Sequence, residues 1–120
     1  MAKILLVDDE GSVLQSIGML LKSDGHEVIP VRDSQQAAEV ITKESYDLLI
    51  TDLRMPNVDG MQLITLAHQK TPPIPSIIIS AYGSEKTAQQ SKALGCVAYI
   101  QKPFKIQAVT EAVRKALESK

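Results

Sequence analysis

The chain has 120 residues, 13 basic and 14 acidic, and its formal net charge is −1. This length suits one domain that buries a core without disulfide bonds. A hydrophobic fraction of 44% is typical of a globular protein. The balanced charge gives no electrostatic reason to expect binding to nucleic acid or to an anionic membrane. No apolar segment approaches a membrane span, and the single cysteine, Cys96, suits a reducing compartment. We therefore expect a cytoplasmic single domain.

The first part of the chain alternates short apolar runs with helical patterns. Lys3 to Val7 is an apolar run typical of a strand, and the apolar spacing from Gly11 to Ser23 predicts a helix that faces a core. Glu27 to Val31 is a weaker strand. Its Pro30 cannot donate to a β-ladder, which favours an edge position. Asp33 indicates the start of a second helix.

The stretch from Tyr46 to Gly60, YDLLITDLRMPNVDG, contains the most informative pattern of the chain. Its apolar run is too short for a helix and is bounded by turn residues, so Tyr46 to Thr51 is predicted to be a buried strand. Asp52 follows it directly. An acid at the carboxyl end of a strand in an open α/β sheet lies where such sheets bind ligands.

The remaining chain predicts two more strands and three more helices. A helix follows Gly60, and the β-branched run Ser76 to Ser80 is typical of a strand covered on both faces. Ser84 to Lys92 offers little apolar surface, so we expect this fourth helix to be the least firmly held. Val97 to Ile100 is the last strand. The apolar face of the closing helix comprises Ile106, Val109, Val113, Ala116 and Leu117. Three methionines, Met19, Met55 and Met61, are expected to pack in the core or at its rim.

Five strands alternating with five helices predict an α/β fold built from right-handed βαβ units around a parallel sheet. With Pro30 on an edge strand, the doubly wound, flavodoxin-like strand order 2-1-3-4-5 fits best. The topological switch point of that order lies between the first and third strands. Asp8 and Asp9 end the first strand and Asp52 ends the third, so the three carboxylates are expected to meet there.

Three clustered acids with no histidine or cysteine nearby favour a hard cation, and Mg2+ suits a site with few protein ligands. The alternative is that Asp8 or Asp9 only caps the first helix. Ser80 ends the fourth strand and Lys102 follows the fifth, so both lie on the same rim, where a hydroxyl and an ammonium can steady an anion. Pro103 permits a cis peptide bond after Lys102.

These motifs, taken together, resemble the receiver (CheY-like) domain of bacterial two-component response regulators. They are the DD after strand one, the acid of LLITDLRMP, the following DG, the SA after strand four and the KPF after strand five. The resemblance spans residues 1–120, in order and at matching spacing. The Ala81-Tyr82-Gly83 run is most similar to receivers of nitrogen regulation and of the sporulation phosphorelay.

The resemblance implies a role for each matching residue. Asp52 is the phosphoacceptor, which takes a phosphoryl group from the phosphohistidine of a sensor histidine kinase or a histidine phosphotransfer protein. Asp9 and Asp52 bind Mg2+ directly, together with the backbone carbonyl of Arg54, and Asp8 acts through water. Lys102 and Ser80 hold the phosphoryl oxygens.

The resemblance also implies a switch. Ser80 moves toward the phosphoryl group and Tyr99 turns inward, which remodels the face formed by helix four, strand five and helix five. That face controls an output protein or an effector domain not found in these residues, and a phosphorylation-linked homodimer is compatible with it. Such a domain is no enzyme beyond accepting and hydrolysing its own phosphoryl group. Whether this is a complete regulator or a receiver from a longer protein stays open.

The sequence disfavours three other functions. A phosphatase of the haloacid dehalogenase kind also uses an aspartate nucleophile and Mg2+, but needs an acid where this chain has Arg54. A flavin module would need a phosphate-binding loop after strand one, where the chain has Asp8, Asp9 and Glu10. A degenerate receiver that signals by binding alone would lack some of the five motifs.

Overall fold

The computed structural model describes residues 2–81 and 83–118; Tyr82 of the Ala81-Tyr82-Gly83 run therefore lies outside the described residues. Five strands alternate with five helices along the chain. The elements are β1 (Lys3–Val7), α1 (Gly11–Ser23), β2 (Glu27–Val31), α2 (Ser34–Lys43), β3 (Leu48–Thr51), α3 (Gly60–His68), β4 (Ser76–Ser80), α4 (Glu85–Ala93), β5 (Cys96–Gln101) and α5 (Ile106–Glu118).

The sheet has the order β2-β1-β3-β4-β5, and each neighbouring pair is parallel. The predicted fold class and strand order are therefore confirmed. Pro30 lies on the edge strand β2, opposite Leu6 of β1, where a missing N–H leaves no central ladder bond unmade. The carboxyl ends of all five strands consequently point to one edge of the sheet, and β1 and β3 are neighbours there.

Alternation along the strands divides the core into two layers, one on each face of the sheet. One layer contains Ile4, Leu6 and Ile50 with residues of α1 and α5, and the other contains Leu5 and Leu49 with residues of α2 and α3. Every residue of β4 is buried, as expected for a strand covered on both faces. This two-sided burial holds the central strands firmly, so the loops at their carboxyl ends start from fixed positions.

Side chains fix the helix starts of α2 and α3, as the Ser84 hydroxyl also does at α4 by accepting from Thr87 N. The Asp33 carboxylate accepts a hydrogen bond from Gln35 N, which confirms the predicted start of α2. At α3, Asp59 and Gln62 form a capping box, in which each side chain bonds the other residue's backbone N–H. The second cap ends the loop that follows β3.

The strand β3 is shorter than predicted. It begins at Leu48, opposite Ile4, and not at Tyr46. Tyr46 is nonetheless buried, with the ammonium of Lys3 5.0 Å from its ring centroid. The apolar pattern reflects the burial of Tyr46. Strand pairing with β1 starts only after Asp47, whose carboxylate accepts a hydrogen bond from Lys3 N.

Two predicted core side chains face solvent. Met19 is 66% exposed on α1, and Ile106, the first residue of α5, is 63% exposed. Ile106 precedes the turns of α5 that contact the sheet, whereas Val109, Val113 and Ala116 further along are buried. The expectation of packing was therefore wrong for Met19 and Ile106.

The fourth helix buries little, as expected. Of its nine residues, only Ser91 is buried, so α4 has few apolar contacts to hold it. Among the parts of the chain that the structure describes, none of the helices combines the length and the apolar character needed to cross a membrane.

Candidate functional site

Asp8 and Asp52 lie side by side because they follow two adjacent parallel strands. Val7 pairs with Thr51, and Asp52 N donates to Val7 O over 3.1 Å. Both acids are buried, with 2% of Asp8 and 4% of Asp52 exposed. The predicted meeting of these two carboxylates at the switch point is what the structure shows.

One oxygen of each buried carboxylate is held by the backbone. Asp52 Oδ1 accepts from Leu53 N at 2.6 Å, and Asp8 Oδ1 accepts from Glu10 N at 2.9 Å. The Oδ2 atoms of both residues are bonded instead to the ammonium of Lys102. The backbone therefore orients both carboxylates and aims their second oxygens at a common point.

Lys102 occupies that common point. Its Nζ lies 3.0 Å from Asp8 Oδ2, 3.0 Å from Asp52 Oδ2 and 2.9 Å from Glu10 Oε1. Its backbone N donates to Ser80 O at 2.8 Å, and the following bond to Pro103 is cis. The backbone bond fixes the lysine to the end of β4, and its side chain crosses the rim to the acids.

The electrostatics of the cluster follow from burial and from this single ammonium. Burial raises the pKa of Asp8, although the Glu10 N–H and the Lys102 ammonium lower it. Burial alone would lower the pKa of Lys102, but its bonds to Glu10, Asp52 and Asp8 raise it well above the ordinary lysine value. Lys102 is thus a fixed positive charge among three carboxylates, and negative charge remains in excess.

The cluster fits a hard cation. Oxygen atoms of Asp8, Glu10 and Asp52 all lie within 4.8 Å of one another, and an all-oxygen set with excess negative charge is what Mg2+ prefers. Because Lys102 contacts the same three residues, a cation bound there must share these oxygens with the ammonium or displace it.

The positions of the two other acids of the first loop, Asp9 and Glu10, differ from the prediction. Asp9 is exposed, and its backbone carbonyl accepts from Arg32 Nη2 at 3.1 Å. Glu10, which the sequence reading did not single out, contributes the third carboxylate and is the N-cap residue of α1 without a side-chain cap bond. Neither Asp8 nor Asp9 holds that cap position. The signal for Glu10 was its position two residues after Asp8 in a tight strand-to-helix turn.

The loop after Asp52 is closed by a tight approach at Gly60. Gly60 N donates to Leu53 O at 2.8 Å, and a Cβ at residue 60 would overlap the backbone carbonyl of Asp52. Glycine is therefore required there for steric reasons. Arg54 lies in this loop with an exposed side chain.

Ser80 is the last residue of β4, and Tyr99 lies in β5 two residues before its end. Ser80 is fully buried, and Tyr99 is half-buried with its hydroxyl against Gly83. Burial, and next the charge of Asp52, raise the pKa of the Tyr99 phenol, while Arg54 lowers it. The Tyr99 phenol thus lies near enough to Asp52 for the charge of that carboxylate to contribute to its pKa.

The comparisons with known proteins agree with this geometry. A family model described as "Response regulator receiver domain" matches residues 4–114. Transcriptional regulatory protein GlrR of Escherichia coli (strain K12) is 36% identical over 98% of this chain, which spans 26% of that protein. Sporulation initiation phosphotransferase F of Bacillus subtilis (strain 168) is 32% identical over 98% of this chain and 95% of its own length.

Solved structures also resemble this chain in fold and in sequence. A response regulator receiver domain protein from Clostridium thermocellum is 33% identical, with a TM-score of 0.90 over 99% of this chain and 96% of that one. A CheY-like receiver domain protein from Methanospirillum hungatei JF-1 is 28% identical, with a TM-score of 0.92 over 99% and 95%. The chain thus spans about a quarter of the length of GlrR and nearly all of sporulation initiation phosphotransferase F.

Proposed function

This chain belongs to the response regulator receiver domain family of two-component systems, as the sequence resemblance predicted, and from that premise we propose that Asp52 accepts a phosphoryl group from the phosphohistidine of a histidine kinase or a histidine phosphotransfer protein. The observation that carries this proposal is the position of Asp52 Oδ2. It lies 3.0 Å from Lys102 Nζ, beside Asp8, at the switch point of the sheet.

In the proposed transfer, Asp52 Oδ2 attacks phosphorus while the bond from phosphorus to the donor imidazole nitrogen breaks. The electron pair of the broken bond goes to that nitrogen, which takes up a proton. Lys102 and Ser80 then hold the phosphoryl oxygens. Lys102 can do so because its side chain already reaches Asp52 and is positively charged.

We further propose that the site binds Mg2+ through Asp8, Asp9, Asp52 and the Arg54 backbone carbonyl. Support comes from the oxygen cluster of Asp8, Glu10 and Asp52; Asp9, exposed next to it, would turn inward. When bound, Mg2+ supplies positive charge that neutralises the transferring group. Glu10 adds a carboxylate that the family motif did not suggest.

The proposed switch joins Ser80 to Tyr99. Movement of Ser80 toward the phosphoryl group would vacate space that Tyr99 can enter, and Tyr99 lines a groove of about 460 Å³ with residues of α4 and β5. The weakly held α4 suits an element with two arrangements. Through this α4–β5–α5 face the domain would control an output protein or an effector domain, with a phosphorylation-linked homodimer as one form.

The chemistry of the chain itself is proposed to end with accepting and hydrolysing its phosphoryl group, without turnover of another substrate. We also propose that residues 1–120 form one receiver domain and that it acts in the cytoplasm. The buried free thiol of Cys96 suits that reducing compartment. Family membership favours this receiver function over the phosphatase and flavin alternatives.

The proposal is tested by incubating the protein with Mg2+ and acetyl phosphate and measuring intact mass. We expect one labile phosphoryl adduct that is lost in Asp52→Asn and without Mg2+. Asp33→Asn is the matched control, because asparagine caps α2 as well as aspartate does and the adduct should persist. If Asp52→Asn is labelled like the wild type, Asp52 is not the acceptor. If neither is labelled, transfer from a phosphorylated histidine kinase replaces the small donor, and failure there contradicts the proposal.

A further inference from the structure

The loop after β3 contains a strained three-residue turn. Val58 N donates to Pro56 O at 3.0 Å, so the turn spans only Asn57 between them. Asn57 has a φ of 74°, the one positive φ among non-glycine residues in ranges 2–81 and 83–118. A γ-turn whose central φ is positive is the rare and strained form, and it persists only when its surroundings hold it.

Ser34 supplies that hold. Its hydroxyl donates to Pro56 O at 2.6 Å and accepts from Val58 N at 3.1 Å, so one side chain bonds both groups that close the turn. We refer to these two bonds as the Ser34 bridge. Ser34 is 3% exposed and is the first residue of α2, 22 and 24 residues away from its two partners in the chain. The bridge therefore ties α2 to the loop that follows Asp52.

Helix capping does not explain this serine. The cap of α2 is Asp33, whose carboxylate accepts from Gln35 N at 2.9 Å. Both bonds of the Ser34 hydroxyl go to the distant turn instead. Losing them would leave the helix start intact and would release the turn.

The turn is close enough to Asp52 for its release to matter. Only Leu53, Arg54 and Met55 separate Asp52 from Pro56. The loop is held at its base by the bond from Gly60 N to Leu53 O. With the base and the turn both fixed, the short segment between them has little freedom, and its Arg54 carbonyl has a set direction.

We propose that Ser34 is a positioning residue for the phosphorylation site: the Ser34 bridge fixes the Pro56–Asn57–Val58 turn, which in turn holds the Arg54 backbone carbonyl where a divalent cation bound beside Asp52 can use it. This inference rests on the function proposed above and extends it to a residue outside the motifs. Ser34 touches neither the cation nor the phosphoryl group and acts only through the loop.

Ser34→Ala tests the inference with two readouts that do not depend on phosphoryl transfer. The first is amide hydrogen exchange at Val58, which we expect to accelerate by about fivefold to tenfold, the change that one lost hydrogen bond produces. The second is Mg2+ affinity by titration calorimetry, expected to weaken by a similar factor of about five. Exchange at Leu49 and Ile50 in β3 should not change.

Two further variants make the outcome specific. Ser91→Ala removes another buried serine hydroxyl, which bonds Ala88 O inside α4, and should change neither readout. Ser34→Thr keeps a hydroxyl at the bridge and should restore both. The inference is overturned if Ser34→Ala leaves Val58 exchange unchanged, or if exchange accelerates while Mg2+ affinity stays at the wild-type value. Both measurements remain informative even if Asp52 accepts no phosphoryl group. In that case the proposed function fails, and the role of the Ser34 bridge is decided by these two measurements alone.

Discussion

Lys102 Nζ lies 3.0 Å from Asp52 Oδ2, although the two residues are 50 positions apart in the chain. The lysine side chain is 11% exposed and that of Asp52 is 5% exposed. Asp52 follows β3 and Lys102 follows β5, so these two strands and β4 between them must be in place before this pair can form. The pair joins the predicted acceptor to the ammonium that also contacts Asp8 and Glu10.

Lys102→Met should destabilise the protein at neutral pH by about 3 kcal/mol, because it leaves the buried carboxylates of Asp8 and Asp52 without their counter-charge. The variant should recover stability as pH falls and Asp8, whose pKa is raised by burial, takes up a proton. Since the pKa of Lys102 is raised in the folded protein, its stabilising effect is complete below about pH 10.4 and is lost as pH rises above that value. Urea denaturation across this range measures both trends. Lys105→Met, an exposed lysine three residues on, should show neither.

Asp8→Asn should make the protein more stable at neutral pH. Burial raises the pKa of Asp8, so the folded protein holds this proton to a higher pH than the unfolded chain, and the wild type loses stability as pH rises through the interval above 3.8. The asparagine variant should lack this loss. Thermal denaturation at a series of pH values measures the difference, with the exposed Asp24→Asn as control; equal pH profiles for wild type and Asp8→Asn would contradict the prediction.

Gly60→Ala should destabilise the protein by about 2–3 kcal/mol, because the added methyl group overlaps the backbone of Asp52 and Leu53, which cannot move aside as a side chain can. Gly18→Ala in α1 is the matched control. A methyl group there meets nothing within 4 Å and should stabilise the helix by about 0.5–1 kcal/mol. Chemical denaturation of both variants checks the opposite signs.

Gly83→Ala should displace the Tyr99 ring, whose hydroxyl lies where the new methyl group would be. Because burial is the main cause of the raised pKa of Tyr99, a ring pushed toward solvent should titrate closer to the ordinary tyrosine value. NMR of the Tyr99 ring carbons against pH measures this shift. Gly25→Ala, where the added methyl group contacts no atom within 4 Å, should leave the Tyr99 titration unchanged.

Much of the fold could be predicted because a few single residues indicated the order of the strands in the sheet. Pro30 marked the edge strand, and the short apolar runs ending in Asp8 and Asp52 marked the two strands that meet at the switch point. The family followed from motifs that the sheet brings to one rim, and the family comparison confirmed it.

The features that the sequence did not reveal depend on three-dimensional placement. Glu10 became a member of the acidic cluster only because the turn into α1 returns its side chain toward Lys102. Ser34 carries no pattern of its own, since its role arises from a turn more than 20 residues away. Met19 has an apolar side chain of the kind found in cores, but its position on α1 faces solvent.

The hydrogen bond from Lys102 N to Ser80 O has a thermodynamic consequence. It joins the carboxyl ends of β4 and β5. Lys102, which contacts Asp52, and β5, which borders α4, are therefore expected to move together. If phosphorylation of Asp52 changes the affinity of the α4–β5–α5 face for a partner by some factor, binding of that partner must favour the phosphorylated state by the same factor. Under the proposed function, an output partner would therefore also be an effector of the site, and the ratio of the two phosphorylation states would depend on the partner's concentration.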